Sequence, residues 1–236
     1  MTPSALPAAA PGVSAMIMAY NEVASLRQVV EEIAGALDVT ELPYEIVIID
    51  DGSTDGTGPE SDALARTIAN VRAVHHGVNG GVGQVYRTGF AEARNSYVTF
   101  FPADGQFPAT ILHQFLALVP RHDMVLGYLD DRDDPLLAKT LSFARGVVHR
   151  LLLGPSPRFQ GVTMFRRELP GLVDLRCDGR TNTVINELII RVHRAGYRTV
   201  SIPTPMRPRA AGQSKVNNLK TIRDSLADAM VLRRYM

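Results

Sequence analysis

Cysteine is almost absent from this sequence. Cys177 is the only one among 236 residues, so no intrachain disulfide can form, and a reducing compartment suits the chain. No histidine-containing signature surrounds it, which makes it a filler residue rather than a nucleophile. Long apolar runs are also missing: nothing approaches the roughly 18–20 residues of a membrane span. The opening "MTPSALPAAAPG" has neither a basic n-region nor a long apolar core, and it reads as a flexible tail over 1–12 rather than a signal peptide. An excess of one charge is lacking too. Lys and Arg number 25 against 24 Asp and Glu, a net of +1, which argues for neither nucleic acid nor membrane as a partner.

What is present is ordinary for a globular protein: 45% apolar and 21% charged residues, enough to bury a sizeable core in one α/β domain. The charge is unevenly placed. Residues 195–236 hold eight Lys and Arg but only two acids, Asp224 and Asp228. Such a basic segment beside an acidic body reads either as contact with something anionic or as a solvated helix face.

Strand and helix patterns alternate. "VSAMIMAY" (13–20), "YEIVIID" (44–50), "RAVHH" (72–76), "SYVTFF" (96–101) and "DMVLGY" (123–128) read as strands. Between them, 24–37, 59–70, 81–94 and 108–119 carry helical periodicity. Unalternating Ile and Val in 44–50 point to burial on both faces, as in a parallel sheet. This order predicts a doubly wound, mostly parallel sheet, in which ligands sit outside the carboxyl ends of the strands. Further on, 135–153 reads as helix, 161–167 as strand, 182–196 as amphipathic helix and 198–203 as strand. Then come a basic loop, "PMRPRAAGQSK" (205–215), and a final basic amphipathic helix, 216–234.

The segments after the strands carry the chemistry. In "IIDDGSTDGT", Asp50 and Asp51 end a strand; they either accept hydrogen bonds from a ribose or base or belong to a turn-and-cap cluster. "HHGVNGGVG" is a glycine-rich loop before a helix, though its spacing is neither a dinucleotide fingerprint nor a P-loop. His75 and His76 point to opposite faces of their strand and do not make a metal pair. In "FFPADGQFP", Asp104 and Gln106 share one side if the segment stays extended, and two oxygens there suit Mg²⁺ or Mn²⁺.

Taken together, "AMIMAYNE", "EIVIIDDGSTDGT", "NGGVGQVYRTGF", "TFFPADGQFP", "MFRRE" and "AGYRTVSIPTPMRPRAAGQSK" resemble the family-2 glycosyltransferases, in the dolichol-phosphate mannose synthase-like branch. The resemblance covers about residues 13–220. It implies a GT-A fold: an α/β, Rossmann-like, mostly parallel central sheet flanked by helices, with C-terminal helices on the acceptor side. The domain would run over 13–215, and 216–236 would be a basic helix packed on it or extending from it. The resemblance also implies a nucleotide-sugar donor and inversion at the anomeric carbon. By position, Ala19, Tyr20 and Glu22 line the nucleotide pocket, and Asp51 contacts base or ribose. Asp104 and Gln106 hold the Mg²⁺ or Mn²⁺ on the diphosphate. Arg132, with Lys139 or Arg145, faces acceptor or donor phosphate, and Arg209 and Lys215 lie on a loop over the site.

Two departures stand out. The family commonly has D-x-D where this chain has Pro102-Ala103-Asp104, and it tends to carry an Asp near the position where "PSPRFQGVTMFRRE" has Arg158. The expected activity is hexose transfer from a GDP- or UDP-sugar to a polyprenyl phosphate by a cytoplasmic protein, peripheral at the inner membrane face or held by a membrane subunit. A soluble hydroxyl acceptor, or nucleotide binding without turnover, is the alternative. A hydroxyl would need a general base. Asp131 and Glu187 are the candidates, although Glu187 also stands four residues before Arg191 on one helix and pairs with it in the simpler reading.

Overall fold

Strand β1 (Val13–Ala19) is an apolar run without alternation, and both of its faces are covered. In the computed structural model, which describes residues 12–129, 154, 156–177, 180–207, 227 and 230–234, it is an interior strand of one sheet. Its companions are β2 (Tyr44–Asp50), β3 (Val71–His75), β4 (Tyr97–Pro102), β5 (Met124–Tyr128), β6 (Thr163–Arg166) and β7 (Thr199–Pro203). The order is β3-β2-β1-β4-β6-β5-β7. β1, β2, β3 and β4 pair in parallel, as do β5 and β7, while β6 runs antiparallel to both β4 and β5. Every strand but β6 therefore ends at the same edge.

The sheet is accompanied by helices α1 (Val23–Asp38), α2 (Thr57–Thr67), α3 (Val82–Glu92), α4 (Ile111–Leu118), α5 (Leu169–Leu172) and α6 (Thr183–Arg194). Successive strand residues serve opposite cores. Ala15, Ile17, Ile46, Ile48 and Phe101 pack with Leu26, Val30, Ile33 and Leu37 of α1 and with Phe115 of α4. Met16, Val47, Ile49 and Phe100 pack with Val85 and Tyr86 of α3 and Leu188 of α6. This is the two-residue period of a strand with both faces buried. α3 comes close because Gly89 has no side chain: a Cβ there would stand 2.5 Å from the Phe100 ring and 3.2 Å from Met16.

The amino-terminal edge is closed by ion pairs. Glu45 accepts from Ser14 Oγ at 2.6 Å, the Arg94 N–H at 2.8 Å and Arg72 Nε at 3.0 Å. Burial pushes its pKa up, and these partners together hold it below the ordinary value. Expectations about 1–11, the helix 135–153 and residues 208–226 lie outside the described residues, while 230–234 are helical with Leu232 buried. Among the described residues no helix is long and apolar enough to cross a membrane.

Candidate active site

At the carboxyl edge four strands release their loops at one level. The Asp51 N–H donates to Ala19 C=O, His76 N–H to Asp50 C=O and Ala103 N–H to Met18 C=O, each at 2.9 Å. Each bond extends the parallel ladder by one rung before the chain turns away.

Asp50 and Asp51 follow one another, so their side chains leave on opposite faces. Each meets a histidine from the end of β3. Asp50 Oδ2 lies 3.0 Å from His75 Nδ1, and His75 Nε2 lies 3.1 Å from Asp62. Asp51 Oδ1 lies 2.6 Å from His76 Nδ1, and His76 Nε2 lies 2.8 Å from Thr88 Oγ1 on α3. The Asp51 carboxylate also accepts the Gly80 and Gly81 N–H groups at 2.9 and 2.8 Å. The amides of the glycine-rich loop are thus taken by a buried acid, and the loop is fixed above β2. Gly81 has a φ of +82°, and a Cβ there would run into the Arg180 backbone. Only glycine fits that conformation and that approach. From the other side, Arg180 Nη2 donates to Asn79 C=O at 2.6 Å.

The hydrogen bond to Asp50 lifts the His75 pKa, burial opposes it, and Asp62 lifts it further. A raised folded-state value stabilises the fold below the unfolded pKa of about 6.5, and that contribution is lost as pH rises through the folded value. His75→Gln should therefore show its full stability deficit relative to wild type below about pH 6.5 and lose it over the pH range above. Calorimetric Tm values for both proteins across that range check this, and a constant difference would contradict it.

The loops after β1 and β2 are cross-bonded. Asn21, at a φ of +56°, donates its N–H to Ser53 Oγ at 2.9 Å and accepts the Thr54 N–H at 2.8 Å. The Glu22 N–H donates to Thr57 Oγ1 at 2.9 Å and the Val23 N–H to Asp55 Oδ2 at 3.2 Å. Half of "DDGSTDGT" is thus a cap, supplied across 32–35 residues to the open amides at the start of α1. Ser25 Oγ on α1 then donates to Ala103 C=O at 2.7 Å and ties the third loop in.

That third loop corrects one expectation. The segment from Asp104 to Gln106 is not extended: Gly105 takes a φ of +72°, and the Gln106 N–H turns back to Asp104 Oδ1 at 3.1 Å. An aspartate that bonds the backbone two residues on makes a turn by itself, and glycine at the next position allows it. Asp104 is 8% exposed, and Gln106 C=O accepts the Arg207 N–H at 2.7 Å. Arg207 also grips Glu32 of α1 at 2.9 and 3.0 Å. For a divalent cation this supplies a single carboxylate with a neighbouring amide. Among the described residues no cluster of three or more His, Cys, Asp or Glu could hold a metal. Mg²⁺ and Mn²⁺ bound with substrate phosphates and water need only one or two protein oxygens, and the Asp104 carboxylate is the one this turn offers.

The structure therefore brings Ala19, Glu22, Asp51, Asp104 and Gln106 to one edge, with Tyr20 beside them at 44% exposure. Asp131, Arg132, Lys139, Arg145, Arg209 and Lys215 lie outside the described residues. Glu187 is fully buried on α6, where it accepts the Arg176 and Cys177 N–H groups and Arg191 Nε at 2.7 Å. Its role there is to close a backbone turn, the pairing with Arg191 being one part of it. The acid–histidine pairs were missed from sequence, although two acids ending one strand and two histidines ending the next were a usable sign. The register does pair Asp50 with His75.

Comparison with known proteins agrees with this architecture. An undecaprenyl-phosphate mannosyltransferase of Micrococcus luteus is 26% identical over 213 residues, covering 86% of each chain. A dolichol-phosphate mannosyltransferase of Saccharomyces cerevisiae is 28% identical over 152 residues, 61% of this chain and 57% of that one. Several other relatives are longer, and this chain spans less than two thirds of their length. A glucosyl-3-phosphoglycerate synthase of Mycobacterium tuberculosis, solved with Mn²⁺, UDP and glucosyl-3-phosphoglycerate, superposes with a TM-score of 0.69 at 19% identity, over 94% of this chain and 80% of that one. That likeness supports the GT-A fold. The profile of the family described as "Glycosyl transferase family 2" matches residues 14–169, and the chain belongs to that family.

Proposed function

We propose that this protein transfers a hexose, with inversion, from a GDP- or UDP-sugar to a polyprenyl phosphate at the cytoplasmic face of a membrane. The observation that carries the acceptor is the likeness to an undecaprenyl-phosphate mannosyltransferase across 86% of both chains. The donor side is supported by the convergence of the loops after β1, β2 and β4. Ala19, Tyr20, Glu22 and Asp51 border the nucleoside, with Asp51 holding the glycine loop that forms one wall. Asp104, with Gln106, would hold Mg²⁺ or Mn²⁺, which when bound with the donor would offset negative charge on the leaving diphosphate. Arg132, Arg209 and Lys215 contribute positive charge to the same end. The basic stretch 195–236 suits an anionic bilayer surface.

A phosphate oxygen of the acceptor attacks the anomeric carbon as its bond to the diphosphate breaks, and the nucleoside diphosphate departs. A phosphate monoester has its second pKa at about 6, so the nucleophile is already ionised near neutrality and no general base is needed. The commitment of Glu187 to backbone amides fits this route better than activation of a hydroxyl.

The test is a donor panel with GDP-mannose, UDP-glucose and UDP-N-acetylglucosamine, with Mg²⁺ or Mn²⁺, with and without polyprenyl phosphate in detergent. Sugar entering the organic phase is the expected result and names the donor. Transfer to soluble hydroxyl acceptors alone would replace the acceptor. Nucleotide-sugar binding with neither transfer nor hydrolysis would make the protein a binding module.

A further inference from the structure

Beyond β4 the carboxyl edge carries a cation that the donor chemistry leaves unused. At the end of β5 the Arg158 guanidinium lies over the Tyr128 ring, with Cζ 5.4 Å from the centroid. Arg158 is exposed, and no carboxylate among the described residues pairs with it. Its place is set by backbone. The Gln160 N–H donates to Gly127 C=O at 2.8 Å and the Gly127 N–H to Val162 C=O at 2.9 Å, which lays 160–162 along β5. On the other flank the Thr204 N–H donates to Tyr128 C=O at 2.8 Å.

This platform shares a wall with the Asp104 turn. Gly161 has a φ of +117°, and a Cβ there would stand 2.5 Å from the ring of Phe107, three residues after Asp104. An arginine lying on an aromatic face keeps its N–H edge for planar, paired bonds to an oxyanion and gives up little freedom on binding one.

We propose that Arg158, seated on Tyr128, binds the phosphate of the acceptor and not the diphosphate of the donor; this rests on the polyprenyl-phosphate reading above. Position decides between the two anions. β6 separates β4 from β5, and strands lie about 4.8 Å apart, so the ends of β4 and β5 are about 10 Å apart. A donor diphosphate at Asp104, its anomeric carbon and an attacking phosphate, taken in line, fill that span.

The experiment compares wild type, Arg158→Ala, Arg158→Lys and Tyr128→Leu as full-length proteins. KM for polyprenyl phosphate, KM for the donor and kcat are measured in the transfer assay, and nucleoside diphosphate affinity by calorimetry. In Arg158→Ala, acceptor KM should rise about ten-fold or more, as expected for lost hydrogen bonds to a charged group, with donor KM and diphosphate affinity unchanged. Lysine should restore part of the loss, and Tyr128→Leu should fall between wild type and alanine. Unchanged diphosphate affinity also shows that the variants are folded. Acceptor KM unchanged in Arg158→Ala, or donor affinity weakened instead, overturns the assignment while the function stands. A wild type that never uses polyprenyl phosphate overturns the function, and the assignment falls with it.

Discussion

Asp104→Asn should lower kcat by about 10²–10³-fold, the scale of losing one main electrostatic support of a charged transition state. Asparagine is the informative replacement. Its Oδ1 can still accept the Gln106 N–H, so the turn at Gly105 survives and the negative charge alone is removed. Tm should stay close to wild type. Nucleoside diphosphate binding should lose its dependence on Mn²⁺, which calorimetric titration with and without the ion measures directly. Asp104→Ala removes the turn as well and should weaken binding further. With Pro102 in place of the first acid of the usual D-x-D pair, no second carboxylate of that motif stands in reserve. Metal-dependent binding and turnover that survive both replacements would remove Asp104 from the site.

The second large effect is on stability. Glu187→Ala should cost about 3 kcal/mol, because it strands two backbone N–H groups and removes the buried carboxylate to which Arg191 Nε donates. For a chain of this size that corresponds to a Tm about 6–12 °C lower. Glu187→Gln keeps an acceptor and the shape, and should lose less. The measurement that matters is the pair of readouts. If Glu187 holds the turn at Arg176 and Cys177, Tm falls while the residual folded protein keeps its kcat. If Glu187 were a general base, glutamine would abolish turnover at an unchanged Tm.

The parts of this fold that could be read from sequence are those written within one element. β1, β2 and β4 carry apolar runs whose double burial follows from having no alternation, and α6 shows its buried stripe at helical spacing. The 161–167 segment reads as a strand, but nothing in it states that β6 runs backwards; that direction comes from pairing with β4 and β5. Helix boundaries slipped for a similar reason. Pro59 suggested a start at 59, yet α2 begins at Thr57, where Asp55 accepts the Thr57 N–H at 3.0 Å and its hydroxyl at 2.6 Å. The helix gives out at Thr67, shortly before Asn70 takes a φ of +62°. At the site, the important acids were visible as types and positions. Their partners were not, because His76, Gly80 and Gly81 reach Asp51 across 25–30 residues. The extended reading of Asp104–Gln106 failed because a single glycine at positive φ turns the chain, and Asp-Gly is itself a sign of that turn.

The cap of α1 comes from residues 55 and 57 rather than from its own neighbours, and this sets an order on folding. The Glu22 and Val23 N–H groups have no side-chain acceptor until the chain has been made as far as Thr57. β1, α1, β2 and the turn that follows are therefore linked to one another. A chain that stops short of that turn leaves the Glu22 and Val23 N–H groups without these two acceptors. In the finished protein the same linkage acts in reverse: the loops after β1 and β2 cannot come apart without exposing the N–H groups at the start of α1.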